Sequence, residues 1–271
     1  MVIVHILRDI IAFSLWAFGL VLFALLAAVT QLGFLMGAWR ARHKPSGEED
    51  SAGISTLTSG MLGLMAFLLA LSIGFGQNRF EARRQTTVAE ANTIGTAWLR
   101  AGLAQTAAPS LADLIKTYAG TRLAYLEARA PKAEAALLAR TSTQQNEIWQ
   151  QTLAAAKTMP GPLAGVLINA VNDMIDASLE QRYALESRVP VETSSMLLVA
   201  ALLTVGALGY QMGLGGQRHF VLTLLLLLML SSGMGLIVDL SQPRHGFTRV
   251  DTEPLIWTIQ GFGSGGGTSA K

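Results

Sequence analysis

The chain has 271 residues, of which 51% are hydrophobic and only 14% are charged. A soluble domain typically carries about 25% charged residues, so this composition is unusual for one. The formal net charge of +2 is too small to indicate a nucleic-acid-binding protein. Because the chain contains no cysteine, disulfide bonds, thiolate nucleophiles and cysteine-bound metals are excluded.

The apolar residues are concentrated in four long segments near the two ends of the chain. A helix needs about 20 apolar residues to cross the hydrocarbon core of a bilayer. The segments that reach this length are residues 10–38, 54–76, 194–214 and 220–240. The first is longer than the apolar core of a signal peptide, which covers about 7–15 residues. The sequence therefore predicts an integral membrane protein with four transmembrane helices.

The region between the second and third segments resembles a soluble helical protein. Residues 78–189 show no strand-like alternation, and prolines divide them into helices. We expect one helix from the second span to about Thr106, a break at Pro109, a new helix starting at Pro131, and a stop at residues 159–162. The predicted fold is an all-α membrane protein with a helical bundle inserted between helices 2 and 3.

This pattern predicts four parts of the chain. Residues 1–76 form the first transmembrane pair, and residues 77–190 form a cytoplasmic helical domain. Residues 191–241 form a second transmembrane hairpin, because the link between its two helices is short and glycine-rich. Residues 242–271 form a C-terminal tail, and its Gly/Ser-rich end has the composition of a flexible linker remnant.

Lysine and arginine residues near the membrane ends predict the orientation. With the helical domain inside the cell, the inner flanks carry eight such residues: Arg8, Arg79, Arg83, Arg84, Arg182, Arg188, Arg244 and Arg249. The outer flanks carry four: Arg40, Arg42, Lys44 and Arg218. Both termini and the helical domain are therefore expected in the cytoplasm.

The second span carries small residues on one side of the predicted helix. These are Gly60, Gly63, Ala70 and Gly74, with Phe67 among them. In lipid, small residues let helix backbones approach closely. The pattern therefore fits tight packing within one subunit or between subunits. It also fits a helix face that borders a central axis shared by several copies.

The exit from the second span is strongly charged, with Arg79, Glu81, Arg83 and Arg84 close together. One interpretation is anchoring at the membrane interface together with a belt of ion pairs. The other is a ring of guanidinium groups at a pore mouth, which would concentrate anions by long-range attraction.

Other candidate sites give weaker signals. The four histidines are far apart in sequence and form no helical ligand pair: His5, His43, His219 and His245. An acidic face at Asp173, Asp176 and Glu180 is more typical of a solvated surface or of pairing with basic helices than of a cation site. The spans contain essentially no ionisable residue before Asp239, which argues against a proton-coupled transporter. We expect no metal, no cofactor and no enzymatic activity.

The run from Gly60 to Arg100 resembles the bacterial bestrophin-like domain family, most closely in EARRQ and EANTIGTAWLRA. The segment DLSQPRHGFTRVDTEPL resembles the ending of that family. Bestrophins are pentameric anion channels with a pore lined by the second transmembrane helix. The resemblance therefore implies a homopentamer in the bacterial inner membrane that conducts anions such as chloride or bicarbonate. It does not extend to calcium gating, because no acidic calcium cluster is evident.

The resemblance also implies the location of a constriction. In bestrophins, three apolar side chains at four-residue spacing form a neck upstream of an arginine. With that arginine placed at Arg79, the matching positions are Gly63, Phe67 and Leu71. Phe67 and Leu71 fit a hydrophobic constriction that gates by dewetting, whereas Gly63 predicts a shorter or wider neck. The expected pore surface is Gly60, Gly63, Phe67, Ala70, Leu71 and Gly74, and the expected cytoplasmic mouth is Arg79, Glu81, Arg83 and Arg84.

A different class of function also fits the sequence. Membrane helices can hold a cytoplasmic helical bundle that acts as a sensor or scaffold and binds a partner. The size of residues 78–189, which are rich in alanine and amphipathic, favours this alternative. The two hypotheses differ in oligomeric state, because a pore requires a symmetric ring of copies in the bilayer and a scaffold does not.

Overall fold

The computed structural model describes residues 15–43, 48–104, 108–187, 191–242 and 249–264. Nearly all of these residues are helical, and no strand occurs in these ranges. The helices are α1 (Leu15–His43), α2 (Glu48–Ala101), α3 (Ala108–Glu127), α4 (Pro131–Ala156), α5 (Gly161–Glu186), α6 (Val191–Gly215), α7 (Phe220–Ser241) and α8 (Glu253–Ser264). The all-α prediction is confirmed.

Among the described residues, four helices are long and apolar enough to cross a membrane, namely α1, α2, α6 and α7. They cover the four predicted segments, although residues 10–14 of the first segment lie outside the described residues. α2 is a single helix of 54 residues. No proline interrupts its sequence, so the helix continues from the apolar span into the polar region that follows.

The chain divides into two compact units. We call one the membrane unit, which comprises Met1–Asn78 and Arg188–Gln242. We call the other the helical unit, which comprises Arg79–Ser187 and Pro243–Lys271. α2 contributes its first part to the membrane unit and its second part to the helical unit.

Glycines bring α1 and α6 into direct backbone contact within the membrane unit. A Cβ added at Gly209 of α6 would lie 2.0 Å from the carbonyl oxygen of Thr30 on α1. A Cβ added at Gly37 of α1 would lie 2.1 Å from the carbonyl oxygen of Tyr210 on α6. Only glycine permits such an approach, and this small-residue packing is a common way for helices to associate in lipid. The glycine seam consists of Gly33, Gly37, Gly209 and Gly213.

The helix boundaries of the helical unit differ from the predictions at the link between α2 and α3, where α2 ends at Ala101 rather than near Thr106. α2 ends at Ala101 and α3 begins at Ala108, so Pro109 lies in the first turn of α3 rather than before it. Proline is tolerated there, because the first N–H groups of a helix have no helical acceptor. α4 begins at Pro131 and α5 follows Pro160, as the prolines predicted. Thr106, the predicted end of α2, lies outside the described residues.

The core of the helical unit draws on α2, α3, α4, α5 and α8. Its fully buried side chains include Ile94, Ile115, Ile148, Leu167 and Leu255. α8 lies in the region predicted to be a tail, yet it is packed. The Thr258 hydroxyl lies 3.4 Å from the carbonyl oxygen of Ala91, and the Phe262 ring lies 4.8 Å from the Trp98 ring, centre to centre. Residues 265–271, the end of the linker-like sequence, lie outside the described residues.

Candidate pore-lining surface

The membrane part of α2 is the least covered of the four apolar helices. In its most apolar stretch, 11% of the residues are buried within the chain. The corresponding shares are 28% for α1, 33% for α6 and 28% for α7. α1, α6 and α7 pack against one another and against one side of α2. The other side of α2 is therefore available to something outside this chain.

The predicted pore surface lies on that uncovered side. Gly60, Gly63, Phe67, Ala70, Leu71 and Gly74 are all exposed. A Cβ added at Gly60, Gly63 or Gly74 would have no atom within 4 Å. These glycines therefore do not mediate packing within one subunit, which removes one of the interpretations drawn from the sequence. Contact between copies and a shared axis both remain.

The covered side of α2 is defined by buried residues at helical spacing. Thr58, Met65, Ser72 and Gly76 are buried and follow one another at intervals of seven, seven and four residues. The hydroxyls of Thr58 and Ser72 donate to the carbonyl oxygens of Ile54 and Leu68 at 2.9 and 2.8 Å. Their polar groups are thus satisfied inside the helix, as burial in lipid requires.

Two large apolar side chains stand on the uncovered side at the predicted constriction. Phe67 is 59% exposed, and Leu71, one turn later, is 44% exposed. Residues four apart lie on the same face of a helix, so the two side chains form one apolar band. Gly63, one turn earlier, adds no side chain to this band.

The predicted mouth divides into two groups. Glu81 and Arg84 remain on the surface, where Arg84 Nε lies 3.3 Å from Glu81 Oε2, and their side chains are 42% and 57% exposed. Gln85 Nε2 also donates to Glu81 Oε1 at 3.1 Å. Arg79 is half-buried. The exposed ion pair between Glu81 and Arg84 contributes little to stability.

Arg83 belongs to the second group, because only 1% of it is exposed. Its Nε donates to the carbonyl oxygen of Ala184 at 3.2 Å, and its Nη2 donates to that of Ser187 at 2.9 Å. The last carbonyls of a helix lack helical donors and attract cations. Arg83 therefore caps the C-terminal end of α5. Arg83 follows Gly76 by seven residues and so continues the buried side of α2.

A buried ion pair in the helical unit was not predicted from the sequence. Arg122 of α3 pairs with Glu90 of α2, and both side chains are at most 1% exposed. Arg122 Nη2 also donates to Gln181 Oε1 of α5 at 2.9 Å. One pair thus joins three helices. The available signal was Glu90 in EANTIG, seven residues after Arg83 on the same side of α2.

A second set of polar contacts lies beside this pair. Gln145 Nε2 of α4 donates to the hydroxyl oxygens of Ser178 and Tyr118 at 2.7 and 3.2 Å. Burial raises the pKa of Tyr118, so its hydroxyl stays neutral. Burial by itself would lower the pKa of Arg122, but the charge and hydrogen bond of Glu90 raise it above its usual value. Arg122 therefore stays charged.

Among the described residues, the weaker candidates are not gathered into a possible metal site. Asp173, Asp176 and Glu180 are exposed on α5, and Asn172 Nδ2 donates to Asp176 Oδ2 at 3.2 Å. In the part of the chain that the structure describes, no group of three or more His, Asp or Glu residues could hold a metal ion. His5 and His245 lie outside the described residues.

Comparisons with known proteins agree with this architecture. A bacterial bestrophin homologue from Klebsiella pneumoniae superposes with a TM-score of 0.63 at 14% identity, covering 89% of this chain and 96% of the other. A second solved structure, described as a membrane protein, gives 0.63 at 15% identity and covers 93% and 99%. At this identity the likeness shows a shared fold alone.

No curated protein sequence matches the chain. The sequence profile of the Bestrophin-like domain, however, matches residues 21–255, which is most of the chain. This match covers the four apolar helices almost completely, together with the helical insertion and the start of α8. The chain belongs to the Bestrophin-like family.

Proposed function

We propose that this chain forms a homo-oligomeric anion channel, with five copies arranged as in the bestrophins and a pore lined by the membrane part of α2. The observation that carries the proposal is the uncovered glycine-bearing side of α2. Gly60, Gly63 and Gly74 have open space where a side chain would project, while the opposite side of the helix is buried. A helix that lines a central axis needs one side packed against its own subunit and the opposite side open to the axis.

The apolar band of Phe67 and Leu71 would be the narrowest part of the pore. Both side chains project from the uncovered side and have no charged residue near them along the helix. Rings of such side chains can gate a pore by excluding water. A passive pore also needs no ionisable group at membrane depth, which agrees with the composition of the spans.

The cytoplasmic mouth would be formed by Arg79, Glu81 and Arg84. In this proposal Arg83 has no part in attracting ions, since its guanidinium is buried against α5. Arg79 and Arg84 outnumber Glu81, so the mouth carries a net positive charge that would raise the local concentration of anions such as chloride or bicarbonate. The proposed setting is the bacterial inner membrane, with both termini and the helical unit in the cytoplasm.

Chloride flux from liposomes tests the constriction. We expect purified wild-type protein to pass chloride, and Phe67→Ala to raise the flux several-fold, because the largest side chain of the apolar band is removed. Phe220→Ala is the matched control, since Phe220 is 75% exposed on another helix, and it should leave the flux unchanged. Absence of anion flux from well-reconstituted oligomer would contradict the proposal.

The addition of a side chain at Gly63 tests the same constriction. Gly63→Leu adds an apolar side chain one turn before Phe67, in a position that is open within the chain. It should lower chloride flux while the protein remains folded, because the apolar band becomes three side chains long. An unchanged flux would place Gly63 away from the axis.

A membrane-anchored sensor or scaffold is the second candidate function. The helical unit exposes Leu179 and Tyr183 one turn apart on α5, at 65% and 75%. This pair could contact a cytoplasmic partner or another copy of the chain. A monomer or simple dimer in detergent would favour the scaffold, whereas a pentamer would favour the channel.

A further inference from the structure

The first three turns of α2 in the helical unit are held mainly by polar side chains. Between Arg79 and Glu90, the buried residues are Arg83, Thr87 and Glu90. Full burial of apolar side chains begins only after this stretch, at Ala91. The placement of this part of α2 therefore depends largely on directional polar contacts.

Two of these residues join α2 to other helices. Arg83 donates from Nε to the carbonyl oxygen of Ala184 and from Nη2 to that of Ser187, at 3.2 and 2.9 Å. Glu90, two turns later on the same side of α2, pairs with Arg122 of α3. Hydrogen bonds are directional, and those of charged groups are roughly twice as strong as neutral ones. The two contacts therefore fix the rotation of α2 about its own axis.

The acceptors of Arg83 suit a guanidinium group in particular. Ala184 and Ser187 are three residues apart at the end of α5, so their carbonyl oxygens lie at different heights along that helix. The planar guanidinium presents its N–H donors in a fixed fork and reaches both oxygens, whereas the ammonium of lysine is a compact point charge. The contact therefore depends on the shape of the group as well as on its charge.

The rotation of α2 determines which of its side chains face away from α5. Successive residues of an α-helix point about 100° apart. Arg84 and Gln85 therefore lie about 100° and 200° from Arg83, and both are exposed. Thr87 lies only about 40° from Arg83 and is buried. Loss of the contact at Arg83 would let α2 turn, so that buried side chains become exposed.

We propose that Arg83 is a positioning residue of the channel. Its two hydrogen bonds to the end of α5, together with the pair of Glu90 and Arg122, hold α2 in the rotation that presents Glu81 and Arg84 at the mouth. Arg83 itself does not touch the permeating anion. The effect on conduction rests on the proposed function, whereas the effect on the rotation of α2 does not.

Thiol accessibility in the full protein tests the rotation of α2. The chain contains no cysteine, so a single introduced cysteine reports on one position. We expect a water-soluble maleimide to modify Gln85→Cys quickly and Thr87→Cys slowly, because Gln85 is exposed and Thr87 is buried. Adding Arg83→Met should raise the rate at Thr87→Cys about tenfold or more, the factor that corresponds to the loss of a hydrogen bond to a charged group.

Two controls separate a rotation of α2 from general destabilisation. Arg84→Met makes the same chemical change at the exposed neighbour and should leave the Thr87→Cys thiol protected. Ala155→Cys reports on the core of the helical unit, where Ala155 of α4 is fully buried, and its thiol should stay protected in Arg83→Met. Equal exposure of both buried thiols would make Arg83 a residue of general stability and overturn the proposal. An unchanged rate at Thr87→Cys would also overturn it.

Arg83→Lys distinguishes the shape of the guanidinium from its charge. Lysine keeps the positive charge but lacks the fork that reaches two carbonyl oxygens. We therefore expect the thiol of Thr87→Cys to react well above its rate in the chain that retains Arg83. A rate equal to that of the chain with Arg83 would show that charge alone suffices, and would overturn the role of the two hydrogen bonds.

Chloride flux from liposomes at low ionic strength, where charges are least screened, tests the link to conduction. Arg84→Met should lower the flux several-fold by removing charge from the mouth, and Arg83→Met should lower it by a similar factor. The double variant should lower it little further, because Arg83 acts through Arg84. Losses that multiply in the double variant, or wild-type flux in Arg83→Met, would overturn the positioning role. If even the wild-type protein passes no chloride, the channel proposal fails, while the thiol rates still decide the rotation of α2.

Discussion

Two glycine-bearing helix surfaces of the membrane unit have opposite environments. At the glycine seam between α1 and α6, a Cβ added at Gly209 would lie 2.0 Å from a backbone oxygen. On α2, a Cβ added at Gly60 would meet no atom within 4 Å. Both surfaces consist of small residues on apolar helices. Small residues therefore permit another helix to pack closely, but they do not determine whether a helix of the same chain does so.

Two glutamates of α2 also have opposite environments. Glu90 is buried against Arg122 and joins three helices, whereas Glu81 pairs with Arg84 on the surface. Both glutamates belong to the charged stretch that follows the second span. Their energetic roles differ because only the buried pair has lost its water. Substitutions at buried and at exposed positions should therefore differ in their effect on stability.

The largest effect is expected at the buried pair. Glu90→Gln should destabilise the protein by about 3–5 kcal/mol, because Arg122 is left as an uncompensated buried charge. The measurement is the thermal unfolding midpoint in detergent. The double variant Glu90→Gln with Arg122→Met should recover part of the loss, since the unpaired charge is gone. A single variant as stable as the wild type would show that the pair is hydrated.

An intermediate effect is expected at the glycine seam. Gly209→Ala should destabilise the membrane unit by about 1–3 kcal/mol, because the new methyl group overlaps the backbone at Thr30. Gly60→Ala is the matched control, with the same change in an open position, and should leave the unfolding midpoint of the single chain nearly unchanged. If Gly60→Ala instead disrupts the oligomer, the open side of α2 is a tight contact between copies rather than a pore surface.

The smallest effect on stability is expected at the exposed pair. Glu81→Gln should change the free energy of unfolding by at most about 1 kcal/mol, because Arg84 can be solvated once its partner is neutral. The same unfolding assay measures it beside Glu90→Gln, so that the two glutamates are compared directly. A loss as large as that of Glu90→Gln would mean that Glu81 becomes buried between copies.

The sequence by itself determined that this is an all-α protein with four apolar helices. The length and low charge of those segments suffice for that prediction, because a bilayer requires about 20 apolar residues for each crossing. The prolines also located the starts of α4 and α5. EARRQ and EANTIGTAWLRA carry the resemblance to the family, and the family profile confirmed it.

Only the tertiary structure decided which side of each helix is covered. Arg83 and Arg84 are adjacent in sequence, yet one is buried against α5 and the other is exposed, because successive residues point about 100° apart around a helix. The sequence likewise could not place Arg122 beside Glu90, since 32 residues separate them. The identity of a side chain limits which contacts it can form. The packing of helices distant in sequence selects the contact that is formed.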